Sequence, residues 1–270
     1  MIPKVINYCW FGGNPKPELI EKCIASWRKN CPDYEIIEWN ESNYDVNKNT
    51  YMKEAYAAKK WAFVSDVARL DIIYNNGGVY LDTDVELFDT LDEWLKYDAL
   101  FVFETGRYIA TGLGFAAQKK NIALKYMLNC YYDLHFIVNG KINECNCPTL
   151  NTDGLCNYSS DFIRNGSTQL IDGIKIISTT DYNKIAKHHY SATWVDDGDD
   201  YDKDNATFKP TKWKNFIRKP SHFDFVEKHF GKKAVKLYTF LCYDLCEFGI
   251  MHFIRKVFRK ILKNDSKNNI

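Results

Sequence analysis

Trp61-Ala-Phe-Val-Ser-Asp-Val-Ala-Arg69, followed by Gly77-Gly-Val-Tyr-Leu-Asp-Thr-Asp84, reads as a helix stopped by a glycine pair and then a strand. Val64, Val67, Leu70, Ile73 and Tyr74 recur at helical spacing, and residues 51–76 are expected to form two helices, this stripe lying on the second. Residues 79–87 follow as a strand. In an extended strand alternate side chains share a face, so Asp82, Asp84 and Glu86 are expected to point one way and Leu81, Thr83 and Val85 the other.

Two carboxylates this close repel unless a cation sits between them. A hard divalent ion satisfies both and keeps sites for phosphate oxygens, where it can assist a departing diphosphate. The competing reading is a merely acidic strand end. The triplet alone is weak: Asp197/Asp199, Asp200/Asp202 and Asp202/Asp204 repeat it within one acidic loop. Asp66 and Arg69 stand three apart on one helix face. They form either an ordinary ion pair, worth roughly a few tenths of a kcal/mol, or a carboxylate and guanidinium fork of the kind that orients sugar hydroxyls.

Outward from this centre, Lys4-Val-Ile-Asn-Tyr-Cys-Trp10 is a short β-rich run halted by Gly12-Gly13. Leu19, Ile20, Cys23, Ile24 and Trp27 stripe a helix over 18–29, and a second strand follows at 34–39. Strand, helix and strand at this length imply a parallel pair. Residues 98–103 and 113–117 are further strand candidates and 121–136 another helix. The pattern weakens from 140 to 220. The acidic loop at 196–204 imitates a calcium loop, but Asn205 stands where glycine is needed and Thr211 where glutamate is needed. The expected fold class is α/β: a Rossmann-like mixed sheet flanked by helices over 1–225, with a helical basic appendage at 226–270.

In that appendage, residues 226–263 carry nine Lys/Arg against three acids. Phe253, Ile254, Val257, Phe258, Ile261 and Leu262 repeat at helical spacing opposite Arg255, Lys256, Arg259 and Lys260. Such a helix either lies on an anionic membrane surface or packs on its own domain with a solvated basic face.

A chain of 270 residues accommodates one large α/β domain or two small ones. A net charge of +1 gives no reason to invoke nucleic acid. Nine cysteines, odd in number and unevenly spaced, argue against a disulfide framework, and neither Cys145-x-Cys147 nor Cys242-x-x-x-Cys246 has structural-zinc spacing. The opening Met-Ile-Pro-Lys-Val lacks a basic n-region and an apolar h-region, and no run approaches 18 apolar residues. A cytoplasmic location is expected, peripheral on the inner membrane face if the basic tail binds lipid.

Three segments together, Ile2-Pro-Lys-Val-Ile-Asn-Tyr-Cys-Trp-Phe-Gly-Gly13, Phe63-Val-Ser-Asp-Val-Ala-Arg-Leu-Asp71 and Gly77-Gly-Val-Tyr-Leu-Asp-Thr-Asp-Val85, resemble glycosyltransferase family 32. This is the Asp-x-Asp family of bacterial capsule and lipopolysaccharide enzymes and yeast mannosyltransferases. The resemblance runs from residue 2 to about 195 and implies a GT-A fold, Mn2+ or Mg2+, and transfer with retention. By the same resemblance Trp10, with Phe11 beside it, contacts the nucleobase, and Asp66 and Arg69 contact the donor sugar. Asp82 lies near ribose and sugar or binds the metal through water, and Asp84 is the direct ligand. His188-His-Tyr-Ser-Ala-Thr-Trp194 is similar to the family's closing segment. There His188 is implied as a third metal ligand or diphosphate contact and Trp194 as a cap on the diphosphate, with the choice between His188 and His189 open. Thr193 stands where the family usually has serine. Thr152, in Asn151-Thr-Asp-Gly154, is implied near the acceptor and anomeric centre.

The Trp-Phe-Gly-Gly start resembles the UDP-using branch, so the expected donor is a UDP-hexose, with a GDP-sugar second. The expected acceptor is a lipid-linked oligosaccharide or polysaccharide of capsule, exopolysaccharide or lipopolysaccharide synthesis. Two other readings stand beside it: an effector that glycosylates protein, and a non-catalytic nucleotide-sugar or glycan-binding module.

Overall fold

The computed structural model describes residues 1–104, 107–138, 140–143 and 147–191, together with 201–202 and 207–208. In chain order the elements are β1 (Val5–Cys9), α1 (Glu18–Asn30), β2 (Glu35–Trp39), α2 (Thr50–Ala57), α3 (Trp61–Asn76), β3 (Gly78–Tyr80) and β4 (Val85–Leu87). A 3-10 turn at Asp92–Lys96 leads to β5 (Ala99–Val102), β6 (Phe115–Ala117), α4 (Ile122–Asn129), β7 (Ile137–Val138), β8 (Lys141–Ile142) and α5 (Cys147–Tyr158). β9 (Gln169–Ile171), β10 (Ile174–Ile177), α6 (Thr179–Tyr182) and β11 (Ala186–His188) follow.

The chain separates into two compact units. The first, Met1–Phe162 with Gly166–Asp199, holds a seven-stranded mixed sheet in the order β2-β1-β3-β6-β5-β10-β9. β1 runs parallel to both β2 and β3, β10 runs parallel to β5, and β6 and β9 are antiparallel to their neighbours. The second unit, Ile163–Asn165 with Asp200–Ile270, shows among the described residues one antiparallel pair, Tyr201–Asp202 with Thr207–Phe208. The expected appendage at 226–270 and most of the acidic loop lie outside the described residues.

Both faces of the sheet are covered, and the strands read accordingly. Ala99, Phe101 and Phe103 enter one apolar cluster with Val64, Val67 and Leu70 of α3 and Leu124 and Met127 of α4. Leu100 and Val102 enter the other with Ile20, Ile24 and Trp27 of α1. This is the two-residue period of a strand buried on both sides. The expected Rossmann-like mixed sheet flanked by helices is what forms.

Gly77 closes α3, its N–H bonding Ile73 O at 2.8 Å with φ at 75°. Gly78, with φ 109°, lies so close to β1 that a Cβ there would stand 2.8 Å from Val5 O. A side chain cannot enter that space, so the pair is what returns α3 directly into the sheet.

One expectation needs correction. Residues 79–87 are not one strand: β3 ends at Tyr80 and β4 begins at Val85, with a turn between that Val85 N closes onto Asp82 O at 3.0 Å. The two aspartates converge because the chain turns, not because strand alternation puts them on one face. Glu86 belongs elsewhere, paired with His189 and Lys22. Similarly, α4 stops at Asn129 rather than running to 136, and the weakly patterned region contains α5, β9, β10 and β11.

Candidate functional site

In open α/β sheets ligands bind beyond the carboxyl ends of the strands, where the strand order reverses. β1 is such a point, with β2 on one side and β3 on the other. Trp10 follows β1 and the Asp82–Asp84 turn follows β3, so the fold carries both to this edge.

The turn is held from two directions. β4 pairs on one side with β11, placing His188 opposite Val85. On the other side α1 supplies side chains instead of a strand: Trp27 Nε1 donates to Val85 O at 2.7 Å, Asn30 Nδ2 donates to Leu87 O at 3.0 Å, and Ser26 Oγ accepts from Leu87 N at 2.9 Å. A three-residue strand thus has its edges satisfied and cannot drift.

Asp84 is buried at 7 % exposure, and both its oxygens are engaged. Oδ1 lies 2.9 Å from His188 Nε2, and Oδ2 accepts from Ser191 N at 2.9 Å and Ser191 Oγ at 2.8 Å. Burial pushes this carboxyl up, but His188 and the Ser191 donors outweigh it and hold it well below the usual carboxylate range. Asp82 lacks that support. Burial and the charge of Asp84 raise its carboxyl, with the Arg69 guanidinium opposing them.

Arg69, at 4 % exposure, connects the two motifs. Its Nη2 sits 2.8 Å from Asp66 Oδ1 and 3.5 Å from Asp82 Oδ1, while Nε donates to Ser65 O at 3.0 Å. The Tyr80 hydroxyl donates to Asp82 Oδ1 at 2.9 Å, and the Arg69 guanidinium lies over the Tyr80 ring at 5.2 Å. The ordinary surface ion pair is therefore excluded: buried Asp66 and Arg69 join partly exposed Asp82 in a carboxylate–guanidinium–carboxylate group. Burial pushes the Asp66 carboxyl up to about 6. Gly112 backs the group, and a Cβ there would meet Asp82 Oδ2 at 2.5 Å.

Asp82, Asp84 and His188 each present a ligand atom, all within 4.8 Å of one another. Two carboxylates and an imidazole suit a hard or borderline divalent ion such as Mn2+ or Mg2+. Burial first and then the charge of Asp84 raise the Asp82 carboxyl, and a cation held between the two carboxylates would offset both, so the residues fit the group. Of the two histidines, His188 faces the aspartates and His189 pairs with Glu86 at 2.8 Å.

The other expected residues divide. Trp10 is half-buried, its indole N–H donating to Asn14 O at 2.7 Å and Lys16 Nζ lying 5.6 Å from its ring. Phe11 turns into the core against Tyr44. Thr152 is wholly buried, donating to Pro148 O at 2.6 Å and accepting from Ile109 N at 2.8 Å, so its hydroxyl ties α5 to the segment after β5 rather than opening onto the carboxylates. Trp194 lies outside the described residues.

Tyr80 and Ser191 lie inside the quoted segments but were assigned no role there, and Gly112 and Glu104 had no signal of their own in the sequence. Glu104 follows β5, with its backbone held by Glu104 N to Tyr108 O and Arg107 N to Glu104 O at 2.8 and 3.1 Å. Burial pushes its carboxyl up to about 7, opposed by the charge of His188.

Residues 17–101 match the family described as "Glycosyltransferase sugar-binding region containing DXD motif". Inositol phosphoceramide mannosyltransferase 3 of Schizosaccharomyces pombe is 33% identical over 110 residues. That alignment covers 36% of this chain and 28% of the relative, so the match spans little more than a quarter of the relative's length. Among solved structures, PaToxG glycosyltransferase matches with a TM-score of 0.45 and 20% identity over 59% of this chain and 70% of that one. A glycosyltransferase involved in glycosylation of the major capsid of PBCV-1 matches with a TM-score of 0.29 and 15% identity over 48% and 68%. These structural likenesses are partial. Over residues 17–101, which hold the Asp-x-Asp motif, the chain is thus similar to the DXD glycosyltransferases.

Proposed function

We propose that this protein is a metal-dependent, retaining glycosyltransferase that moves a hexose from a nucleotide sugar, preferentially a UDP-hexose, to a lipid-linked or polysaccharide acceptor of a cell-surface glycan. The observation that carries the proposal is the constellation in which buried Asp66, Arg69 and Asp84 meet partly exposed Asp82 and His188 at the switch point of the sheet.

Asp82, Asp84 and His188 would hold Mn2+ or Mg2+, which supplies Lewis-acid stabilisation of the leaving diphosphate. The remaining work falls to the chain. Arg69 donates and Asp66 accepts hydrogen bonds to the sugar hydroxyls, fixing the ring over the turn. Because both are buried and already oriented by Ser65 and Asp82, little reorganisation is needed when the donor arrives. In this reading Trp10, just after β1, stacks on the base, and Trp194 caps the diphosphate.

The test is donor hydrolysis with Mn2+ across UDP-galactose, UDP-glucose, UDP-N-acetylglucosamine and GDP-mannose, with EDTA and Asp84→Asn controls. GDP-mannose belongs in the panel because the relative is named a mannosyltransferase. One donor should turn over with metal, and Asp84→Asn should lower the rate at least about a hundredfold. Silence with every donor, joined to no metal-dependent donor binding by calorimetry, would replace the enzyme with a binding module.

A further inference from the structure

Trp10 leads into Gly12 and Gly13, which both take positive φ, 88° and 66°. No side chain of their own restrains them. Yet the indole of Trp10 depends on what lies beyond them, because its N–H donates at 2.7 Å to the carbonyl of Asn14. Whatever fixes the glycines therefore fixes the acceptor that aims the indole.

Two groups from elsewhere in the fold hold this loop. The Gly12 N–H donates to Glu41 Oε1 at 2.7 Å, and a Cβ on Gly12 would stand 2.5 Å from the Trp61 indole, so the backbone lies directly on that ring. The same Glu41 oxygen accepts from the Tyr56 hydroxyl at 3.2 Å, and Tyr56 packs edge-on against Trp61 with ring centroids 5.1 Å apart. A carboxylate on a backbone N–H is a charge-assisted bond, stronger than a neutral one. Glu41 is itself placed by the turn after β2. There Ser42 N donates to Asn40 Oδ1, Asn43 Nδ2 to Glu38 O and Tyr44 N to Asn40 O, at 2.9, 2.8 and 2.9 Å. Tyr44 carries the turn onto α3, with its ring against Phe11 and its hydroxyl donating to Asp71 Oδ2 at 2.9 Å. Trp61 opens α3, the helix that bears Asp66 and Arg69 further along. The loop that aims Trp10 and the helix that carries the carboxylate–guanidinium pair thus meet at Gly12.

Resting on the reading of Trp10 as the platform for the base, we propose that Glu41 is a positioning residue for the nucleotide. By accepting the Gly12 N–H it fixes the Gly12–Asn14 backbone whose carbonyl orients the indole. With Trp61 it sets the span between that platform and the Asp66–Arg69 pair. It acts through Trp10 and not on the donor, and being exposed it holds local geometry, not the core.

The experiment uses full-length protein as wild type, Glu41→Ala, Glu41→Gln, Trp10→Ala and the Glu41→Ala, Trp10→Ala double variant. Calorimetry with Mn2+ gives the affinity for UDP and for GDP, and donor hydrolysis gives kcat and KM. Glu41→Ala should weaken binding of the preferred nucleotide about tenfold and raise KM alike, with kcat within about twofold, as loss of one bond to a charged group does. Glu41→Gln, which keeps an acceptor oxygen, should recover most of that loss. In the Trp10→Ala background Glu41→Ala should cost little more, because residues that act through one another are not additive. Should Glu41→Ala fail to fold, Glu41→Asp, a methylene short of Gly12, replaces it with a severalfold loss and the same dependence on Trp10. Losses that add in the double variant, or a fall in kcat at unchanged KM, would overturn the proposal and leave Trp10 as the platform. Unchanged nucleotide affinity in Trp10→Ala would instead overturn the platform, and the role of Glu41 with it.

Discussion

Arg69 shows what a single residue does here. Its guanidinium satisfies Asp66 and approaches Asp82 while lying over Tyr80, so three elements, α3, β3 and the turn after β3, are registered by one side chain. Breaking a buried ionic group is costly because a charge is left uncompensated, which keeps this geometry fixed. Gly112 is the opposite device, a side chain withheld. A Cβ there would stand 2.5 Å from Asp82 Oδ2 and 3.1 Å from Arg69 Nη1, so it would push on both partners at once. Gly112→Ala should therefore lower donor turnover about a hundredfold, as displacements near 1 Å do. Its melting temperature should fall by only a few degrees, since overpacking of this kind costs about 1–3 kcal/mol. A variant with undisturbed kinetics would show that Asp82 has room the packing does not reveal.

Among the elements, the break between β3 and β4 has the largest consequence. The residues of 79–87 have good strand propensity, and nothing local announces a turn at Leu81–Asp84. Its causes are non-local: β4 leaves the main sheet to pair with β11, and Trp27 and Asn30 of α1 bond its carbonyls. α6 offers a test at the same scale. Asp181 accepts from Ser178, Thr168 and Lys184, and these bonds, Lys184 first, hold its carboxyl at about 2 against an ordinary 3.8. A depressed folded pKa contributes stability above pH 4 that is lost as pH falls through about 2. Asp181→Asn should therefore cost under about 1 kcal/mol at pH 7, the group being exposed and screened. That cost should vanish below pH 2. Urea denaturation at pH 7 and pH 2 measures both, and a cost that persists in acid would mean the carboxylate charge is not its source.

For the whole molecule, no helix among the described residues is long and apolar enough to cross a membrane. Attachment to an anionic lipid surface, one of the two readings of the basic segment, would fall to residues 253–263, outside the described residues. Deleting 250–270 should abolish pelleting with phosphatidylglycerol vesicles while leaving donor hydrolysis intact. Pelleting that survives the deletion would end the assignment.

The sequence alone determined the elements with strong local signatures. The helical stripes of α1 and α3, the glycine stop at Gly77-Gly78, the βαβ start and the Asp-x-Asp motif depend on side-chain period and backbone freedom within a few residues. It also marked Asp66, Arg69, Asp82, Asp84 and His188, because their residue types in those spacings carry the resemblance. Tertiary structure decided which of them meet and how. It turned Phe11 and Thr152 inward, chose His188 over His189, gave contacts to Tyr80 and Ser191 inside segments whose neighbours carried the pattern, and brought Gly112 in from a stretch with none. The physical reason is range. A helix or a glycine turn is fixed by neighbours in the chain, whereas the partners of Asp84 lie 104 and 107 residues away, reached only when β11 pairs with β4.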